Sequence, residues 1–567
     1  MTAALSLVFA DSHLSLDPID LVIIVLYFAL VLGLGVYLRR FAKTGEEFFM
    51  AGREMTAWIA GLSFISANLG SLEMMGYAAA TYQYGILVAH AYWIAAIPAI
   101  LFLALVMLPF YYICKTHSVP GYLKLRYGEG ARSLSAISFA VMTILMSGIN
   151  MYSMAIIMKV ILGWNIHFSI WVSSLTVALY VMAGGLLSAI FNEVLQFFLI
   201  WIGCLVIPVV GLIETGGWAG MIHRIQTNFP GQDFTHMWSP TGGFGNNPMG
   251  VHWTGILLGW GLAISFGYWT TDFLVVQRVM AAKDIRSAKM GTVIGAFFKM
   301  ITPIIVILPG LLALAVLPFH LVPENQAGPG LHTFNEALPL MLARYCGPGL
   351  LGLGITALVA GFMSGMAGNV TAFTTVWTYD IYKPLIRKEA SDAHYVSMGR
   401  WCSLIGVFVS IGTAYLVMNF SSIIVYAQVI FIFFIVPMFG TVILGMMWKR
   451  TTAAGGFWGL FAGIATSFIL WLWIKFDPGA LRFVAFSPQA KDMAENMYRA
   501  FWTLLVNVGV TVIVSLFTKP RSDQELKGLV YGLTELPSEG QFPLFQRPMV
   551  WAGAVAVGFV ALNILFW

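Results

Sequence analysis

The chain has 567 residues, of which 59% are hydrophobic and only 10% are charged, and its formal net charge is +5. Soluble domains carry about 25% charged residues, so this chain could not cover a water-exposed surface. The composition excludes a disordered chain, a disulfide-rich secreted scaffold and a nucleic-acid-binding protein, which needs a strongly basic face. It indicates an integral membrane protein that has the lipid bilayer as its surroundings.

Long apolar runs between polar segments predict fourteen membrane-spanning helices, because about 20 apolar residues cross the bilayer core. The first six lie near 18–38, 57–82, 87–113, 131–163, 166–183 and 186–214. The other eight lie near 250–277, 290–317, 338–376, 398–419, 421–447, 454–474, 500–518 and 548–567. The run from 338 is too long for one span, so we expect it to begin with an external segment.

The basic residues predict the orientation, since Lys and Arg concentrate in cytoplasmic loops. When the N-terminus is placed outside, most of the 30 Lys and Arg residues fall in inner loops. An even number of spans then puts the C-terminus outside as well. We expect a multi-pass protein of the plasma (inner) membrane, formed by a single transmembrane domain over 1–567.

Four ionisable residues fall within the predicted spans, where a charge is costly and usually marks a pathway or a site. They are Glu73, Glu193, Asp272 and Lys299. Glu73 and Lys299 lie deepest, and we expect a functional role for both, with a purely structural buried pair as the alternative. Asp272 lies near Arg278 at a helix end and is expected to be structural, whereas both roles stay open for Glu193.

Two stretches place small and hydroxyl-bearing residues in mid-membrane, at 66–76 and 361–371. Non-helical backbone at this depth is tolerated only where it lines a cavity or faces protein. Unwound carbonyl groups are the usual ligands of a coupling cation in transporters. The first stretch therefore predicts a broken helix at a site. For the second stretch alone, close helix packing through small residues is the simpler interpretation.

Several function classes lack their sequence motifs. No Gly-Lys dipeptide occurs, which excludes a Walker A loop and an ATP-driven pump of that type. None of the ten His residues precedes a Glu, which excludes an HExxH zinc helix, and the TVGYG potassium filter is missing. We therefore expect a secondary transporter and not an enzyme, with a solute sensor as a remote alternative.

Five stretches in chain order resemble the sodium–solute symporter family. They are 48–53 with 66–71, 180–196, 277–283, 378–383 and 444–450. The resemblance covers about 17–459, and fourteen spans match the sugar branch of the family. It implies an all-α membrane protein with a leucine-transporter-type core, whose first and sixth core helices are broken. The core consists of two inverted five-helix repeats, 57–214 and 250–447, with 18–38, 454–474, 500–518 and 548–567 as peripheral helices.

The resemblance implies sodium as the coupled ion. It assigns sodium ligands to the carbonyl groups of Ser66, Leu69 and Gly361 and to the hydroxyl of Ser364. Gly365 stands where the family has a second hydroxyl, so one expected ligand is missing. Glu193 replaces a sodium-linked Asp of the family, and we expect it to support the sodium ligands or to form a second sodium site.

The resemblance also implies a sugar site. Its predicted substrate contacts are Glu73, Tyr92, Ser265, Tyr268, Lys299 and Gln428. Tyr268, Lys299 and Gln428 match the family, whereas the other three replace its polar contacts. Tyr77 and Tyr268 are the expected gates. Glu73 opposite Lys299 could keep both groups ionised, hold a proton or recognise a charged substrate, and these alternatives stay open.

The sequence thus predicts a sodium-coupled symporter that imports a small organic solute by alternating access. The expected solute is a sugar such as galactose or glucose, or a related polyol. The alternative on the same fold is a proton-coupled or sodium-independent transporter of an organic acid, a sialic acid or a vitamin, which Gly365 and Glu73 favour.

Overall fold

The computed structural model describes residues 16–41, 44–317, 333–420, 422–535 and 542–567, with the backbone alone for 39 and 176–185. Within these ranges the chain forms helices and loops, and no β-strand. The main helices of the first half are α1 Pro18–Leu38, α2 Ala57–Asn68, α3 72–84, α4 Ala91–Cys114, α5 Glu129–Leu162, α6 Ile166–Thr215, α7 255–271 and α8 Phe273–Met280. Those of the second half are α9 Ile285–Val316, α10 Leu350–Val376, α11 Asp392–Val417, α12 Ile423–Met447, α13 Ala453–Phe476, α14 Asp492–Phe517 and α15 Pro548–Leu565. Shorter helices are Gly45–Met50, Val119–Tyr127, Gly217–Asn228, Ala337–Tyr345 and Leu481–Val484.

Eleven helices in the described part of the chain are long and apolar enough to cross a membrane. The predicted spans near 57–82 and 250–277 are not among the eleven, because each is interrupted along its length. The all-helical membrane class is confirmed, and the count of fourteen crossings stays a prediction. The external segment expected ahead of the ninth span is seen as a separate helix, Ala337–Tyr345, which precedes α10.

The two spans predicted near 166–183 and 186–214 are one helical segment, α6, of 50 residues. The turn expected between them is therefore a point where the sequence prediction differs from the structure. Within this segment, Leu186–Thr215 is one of the eleven stretches that are long and apolar enough to cross a membrane, and Ile166–Leu175 is a shorter apolar helix.

Burial separates central from outer helices. The most apolar stretches of α10 and α12 are 89% buried inside the protein, whereas those of α1 and α15 are only 22% and 17% buried. The outer helices expose large apolar side chains, including Val25 of α1 and Val557 of α15. Such a surface suits lipid and not water. The interior of the protein is therefore formed by the central helices, among them α10 and α12.

Two central helices are interrupted. α2 ends at Asn68, and Leu69 leaves the helical conformation with φ −71° and ψ 45°, before Gly70 N donates to Asn68 O at 2.7 Å. The second break separates α7 from α8 at Asp272, which is extended at ψ 110° and accepts a hydrogen bond from Leu274 N at 2.9 Å. Asp272 therefore caps α8, which agrees with the structural role expected for it.

The crossing of α2 and α9 depends on a pair of glycines. A Cβ on Gly291 would lie 2.8 Å from the carbonyl oxygen of Ala57 and 3.2 Å from the backbone N of Gly61. Small residues at such a crossing let two membrane helices touch through their backbones. This contact brings the part of α9 that carries Lys299 beside the break of α2.

We expect Gly291→Ala to destabilise the protein by about 1–3 kcal/mol, because the added methyl group must displace backbone atoms and cannot be absorbed by a side-chain rotation. The matched control is Gly33→Ala on α1, where a Cβ meets no atom within 4 Å. Thermal unfolding of both purified variants in the same detergent measures the difference. Equal melting temperatures for the two variants would contradict the role of this crossing.

Candidate functional site

Side chains from several central helices enclose a small cavity of about 40 Å³. All the substrate contacts expected from the sequence line this cavity, namely Glu73, Tyr92, Ser265, Tyr268, Lys299 and Gln428. The expected gate residue Tyr77 lines it as well. The fold therefore brings together residues from α3, α4, α7, α9 and α12 that lie far apart in the sequence. Their roles in binding stay predictions.

Lys299 carries the only positive charge among the described side chains that line the cavity. Its side chain is 3% exposed, and its Nζ donates to Glu73 Oε1 at 2.5 Å and also to Asn68 Oδ1. The ammonium lies over the ring of Tyr92, 4.7 Å from the centroid, and 5.1 Å from that of Trp269. A buried ammonium needs such partners, because its desolvation otherwise disfavours the charged form.

Tyr268 closes one side of the cavity. Its hydroxyl accepts a hydrogen bond from Asn68 Nδ2 at 2.9 Å, and its ring contacts Phe431 with a centroid distance of 5.0 Å. Asn68 thus joins Tyr268 and Lys299 through the two ends of one amide. Movement of Tyr268 must break a contact to the last residue of α2, so the tyrosine position is coupled to the break.

Tyr77 lies among other aromatic side chains of the cavity. Its ring stacks on Trp260 with an interplanar angle of 13° and meets Tyr92 edge-on at 5.4 Å between centroids. Gln428 adds an unsatisfied polar group, because its Nε2 is buried without a hydrogen-bond partner among the described residues. A buried donor without a partner is costly. The cavity therefore offers an amide donor together with apolar ring faces.

The sequence prediction missed several lining residues. Trp260 and Trp269 precede and follow the predicted contacts on the helix that ends at the second break, and Phe431 is about one turn from Gln428 on α12. The spacing of 260, 264 and 268 places these residues on one helix face and could have indicated Trp260. The neighbouring Trp93 does not line the cavity, and its Nε1 donates to Met300 O at 2.9 Å.

A second polar cluster lies where α10 passes the break of α2. Ser364 Oγ donates to Ser66 O at 2.8 Å and is 3.3 Å from Ser66 Oγ. A Cβ on Gly361 would lie 3.0 Å from Leu69 O, so the chain of α10 runs close to the unwound residue. The four positions expected to bind sodium are therefore neighbours, and their role stays a prediction.

The donor set of this cluster fits a hard cation. It consists of backbone carbonyl and hydroxyl oxygens, which suit hard cations and not soft transition metals. Across the described residues, no group of three or more His, Cys, Asp or Glu side chains could hold a metal ion. An ion here would be held by oxygen dipoles at an unwound helix, as in other transporters of broken-helix type.

Glu193 forms a buried ion pair, and the support for the sodium ligands or the second sodium site expected of it stays a prediction. Its Oε1 accepts from Arg278 Nη2 at 2.7 Å, and its Oε2 accepts from Arg278 Nε at 3.3 Å and from the hydroxyl of Ser63. Both partners of the ion pair are fully buried. Thr371 Oγ1 also accepts from Arg278, at 3.3 Å. We use the name buried lock for the cluster of Ser63, Glu193, Arg278 and Thr371. The buried lock connects α2, α6, α8 and α10 at one point.

Comparisons with known proteins match most of the chain. The model of the sodium:solute symporter family matches residues 48–463. The human sodium/myo-inositol cotransporter is 30% identical over 558 residues, which cover 90% of this chain and 75% of the relative. The mouse sodium/glucose cotransporter 4 is 27% identical over 549 residues, covering 92% of this chain and 78% of the relative. Among solved structures, a substrate-bound, outward-open sodium-coupled sialic acid symporter has the same fold, with a TM-score of 0.71 at 20% identity over 89% of this chain and 99% of that chain.

Proposed function

The chain belongs to the sodium:solute symporter family, and we propose that it imports a small uncharged sugar or polyol together with sodium. The resemblance noted in the sequence is thereby confirmed. The family and the relatives are transporters, which supports a transport role and not an enzymatic one. Two relatives are described as cotransporters of sodium with glucose and with myo-inositol, both of which are neutral polyols.

The charge of the cavity is the observation that carries the proposal of an uncharged solute. Glu73 and Lys299 are the only carboxylate and the only ammonium among its described lining side chains, and they form an ion pair at 2.5 Å. Because each charge is compensated by the other, neither is left to balance an ionised solute. The free amide donor of Gln428 and the ring faces suit the hydroxyls and the apolar face of a sugar.

The proposed transport cycle depends on the two interrupted helices. Sodium binds to the carbonyls of Ser66, Leu69 and Gly361 and to the hydroxyl of Ser364, and thereby holds the broken helix in the form that completes the cavity. Tyr77 and Tyr268 gate the two sides. The repeats 57–214 and 250–447 rock against each other, in keeping with a break in the first helix of each. The positive-inside pattern supports an orientation with both termini outside, and the proposed location is the plasma (inner) membrane.

The solute class can be tested by counterflow in proteoliposomes of the full chain, with equal sodium on both sides. The panel consists of labelled myo-inositol, glucose, galactose, mannose, N-acetylneuraminate and lactate. We expect accumulation of at least one neutral polyol and none of the two acids. Accumulation of an acid without any polyol would contradict the proposal and would favour the organic-acid alternative.

A further inference from the structure

Asn150 of α5 carries a polar atom for which the described residues offer no partner. The residue is 3% exposed, and its Oδ1 is buried without a hydrogen bond. Its Nδ2 makes one long contact within its own helix, to Met146 O at 3.4 Å. Buried side-chain oxygens in proteins nearly always have a partner, so an unpaired one is a position where a water molecule or an ion can bind.

The free oxygen of Asn150 faces the polar cluster at the break of α2. A Cβ on Gly365 would lie 2.8 Å from Oδ1, and a Cβ on Gly70 would lie 3.3 Å from it. The carbonyl oxygen of Gly361 is 3.7 Å from the same Cβ position on Gly70. The amide oxygen and this carbonyl thus border one small space between the unwound residues and α10.

We propose that Oδ1 of Asn150 is a ligand of the cation at the break of α2. The inference rests on the proposed sodium site and adds a ligand from a third helix, α5. An amide oxygen is a suitable ligand for a hard cation, since it is a neutral dipole like the carbonyl groups beside it. It supplies the oxygen that is missing at Gly365.

Asn150 and Gly365 depend on each other sterically. Any side chain at 365 would begin 2.8 Å from Asn150 Oδ1 and 3.2 Å from Gly70 Cα, and the first of these distances is closer than real Cβ atoms approach their neighbours. A side chain at 365 therefore requires the Asn150 amide to turn away from the position that its oxygen occupies here. This steric conflict predicts a specific pattern of double-mutant coupling.

Binding of ²²Na⁺ to the purified full chain tests the inference directly. The variants are Asn150→Ala, Gly365→Ser and the two combined, with Ser364→Ala as a control for the site itself. Ser153→Ala is the matched control on α5, because its hydroxyl is fully buried and donates to Ile149 O of the same helix. Size-exclusion chromatography confirms that each variant is folded.

We expect Asn150→Ala to weaken sodium binding at least tenfold, a loss typical of removing a group that supports a metal site. Gly365→Ser alone should also weaken it, because its side chain collides with the amide. The combined variant should bind more tightly than either single variant, and Ser153→Ala should bind like the wild type. If Asn150→Ala alone does not fold, sodium binding by the combined variant is compared with binding by Gly365→Ser. Tighter binding by the combined variant then supports the inference.

Wild-type binding by Asn150→Ala, together with weakened binding by Ser364→Ala, would overturn the role of Asn150 and leave the proposed sodium site in place. The role of Asn150 would also be overturned if the combined variant bound sodium no more tightly than Gly365→Ser. Unchanged binding in both Asn150→Ala and Ser364→Ala, or no binding by the wild type, would overturn the proposed site and this inference together.

Discussion

Lys299→Met is expected to reduce solute uptake into proteoliposomes to the level of protein-free vesicles. The substitution keeps an unbranched apolar stem but removes the ammonium that holds Glu73 Oε1 at 2.5 Å and binds Asn68 Oδ1. Asn68 then loses the contact that fixes its amide against Tyr268. The cavity would lose a donor and the position of its gate at the same time.

The same substitution should lower the free energy of unfolding by about 3–5 kcal/mol, because it leaves the carboxylate of Glu73 buried without a counter-charge. The double variant Glu73→Gln/Lys299→Met removes both charges, so it should regain most of the stability and remain inactive. Lys283→Met, a change at an exposed lysine ahead of α9, serves as the control and should behave like the wild type. Full uptake by the double variant would show that the pair only stabilises the fold.

Arg278→Met should have an effect of similar size on stability, although Arg278 does not line the cavity. It leaves Glu193 fully buried with the Ser63 hydroxyl in place of a counter-charge. A buried pair broken on one side costs about 3–5 kcal/mol. The matched control is Arg286→Met, whose guanidinium donates to Gln546 at the surface and lies over the ring of Phe542. Surface changes of this type usually stay within about 0.5 kcal/mol.

The neutral double variant Glu193→Gln/Arg278→Met separates stability from transport. It should recover a large part of the melting temperature, because no buried charge is left unpaired. We expect it to release preloaded solute faster than the wild type when sodium is replaced by choline, since the buried lock no longer joins α2 and α8. If a variant of normal stability released solute at the wild-type rate, the buried lock would not control the rate of solute release.

The sequence predicts the break of α2 well, because Ser, Asn and Gly clustered at membrane depth favour an open backbone that lines a cavity. It also predicts that Glu73 and Lys299 belong together, because two deep charges of opposite sign can compensate each other. It fails for the ion pair of Glu193, because the sequence does not mark the partner of Glu193 as a buried residue. Arg278 is expected at a helix end near Asp272, yet it is fully buried and paired with Glu193, 85 positions away.

The role proposed for Asn150 could not have been predicted from the sequence alone. A single Asn in an apolar helix is equally consistent with a hydrogen bond between helices. Only the geometry shows that its oxygen is unpaired and faces Gly365. Likewise, the merging of two predicted spans into α6 has no local signal that distinguishes it from a short turn. Both failures concern relations in space and not residue types.

The coupling of solute to sodium is the central claim and can be measured directly. Uptake of the polyol selected by counterflow should be followed in proteoliposomes with an inward sodium gradient, and again with choline in place of sodium at the same pH. We expect concentrative uptake with sodium that rises with an inside-negative potential, because each sodium ion gains about 2.3 kcal/mol per 100 mV. Equal uptake in choline, at both potentials, would contradict sodium coupling.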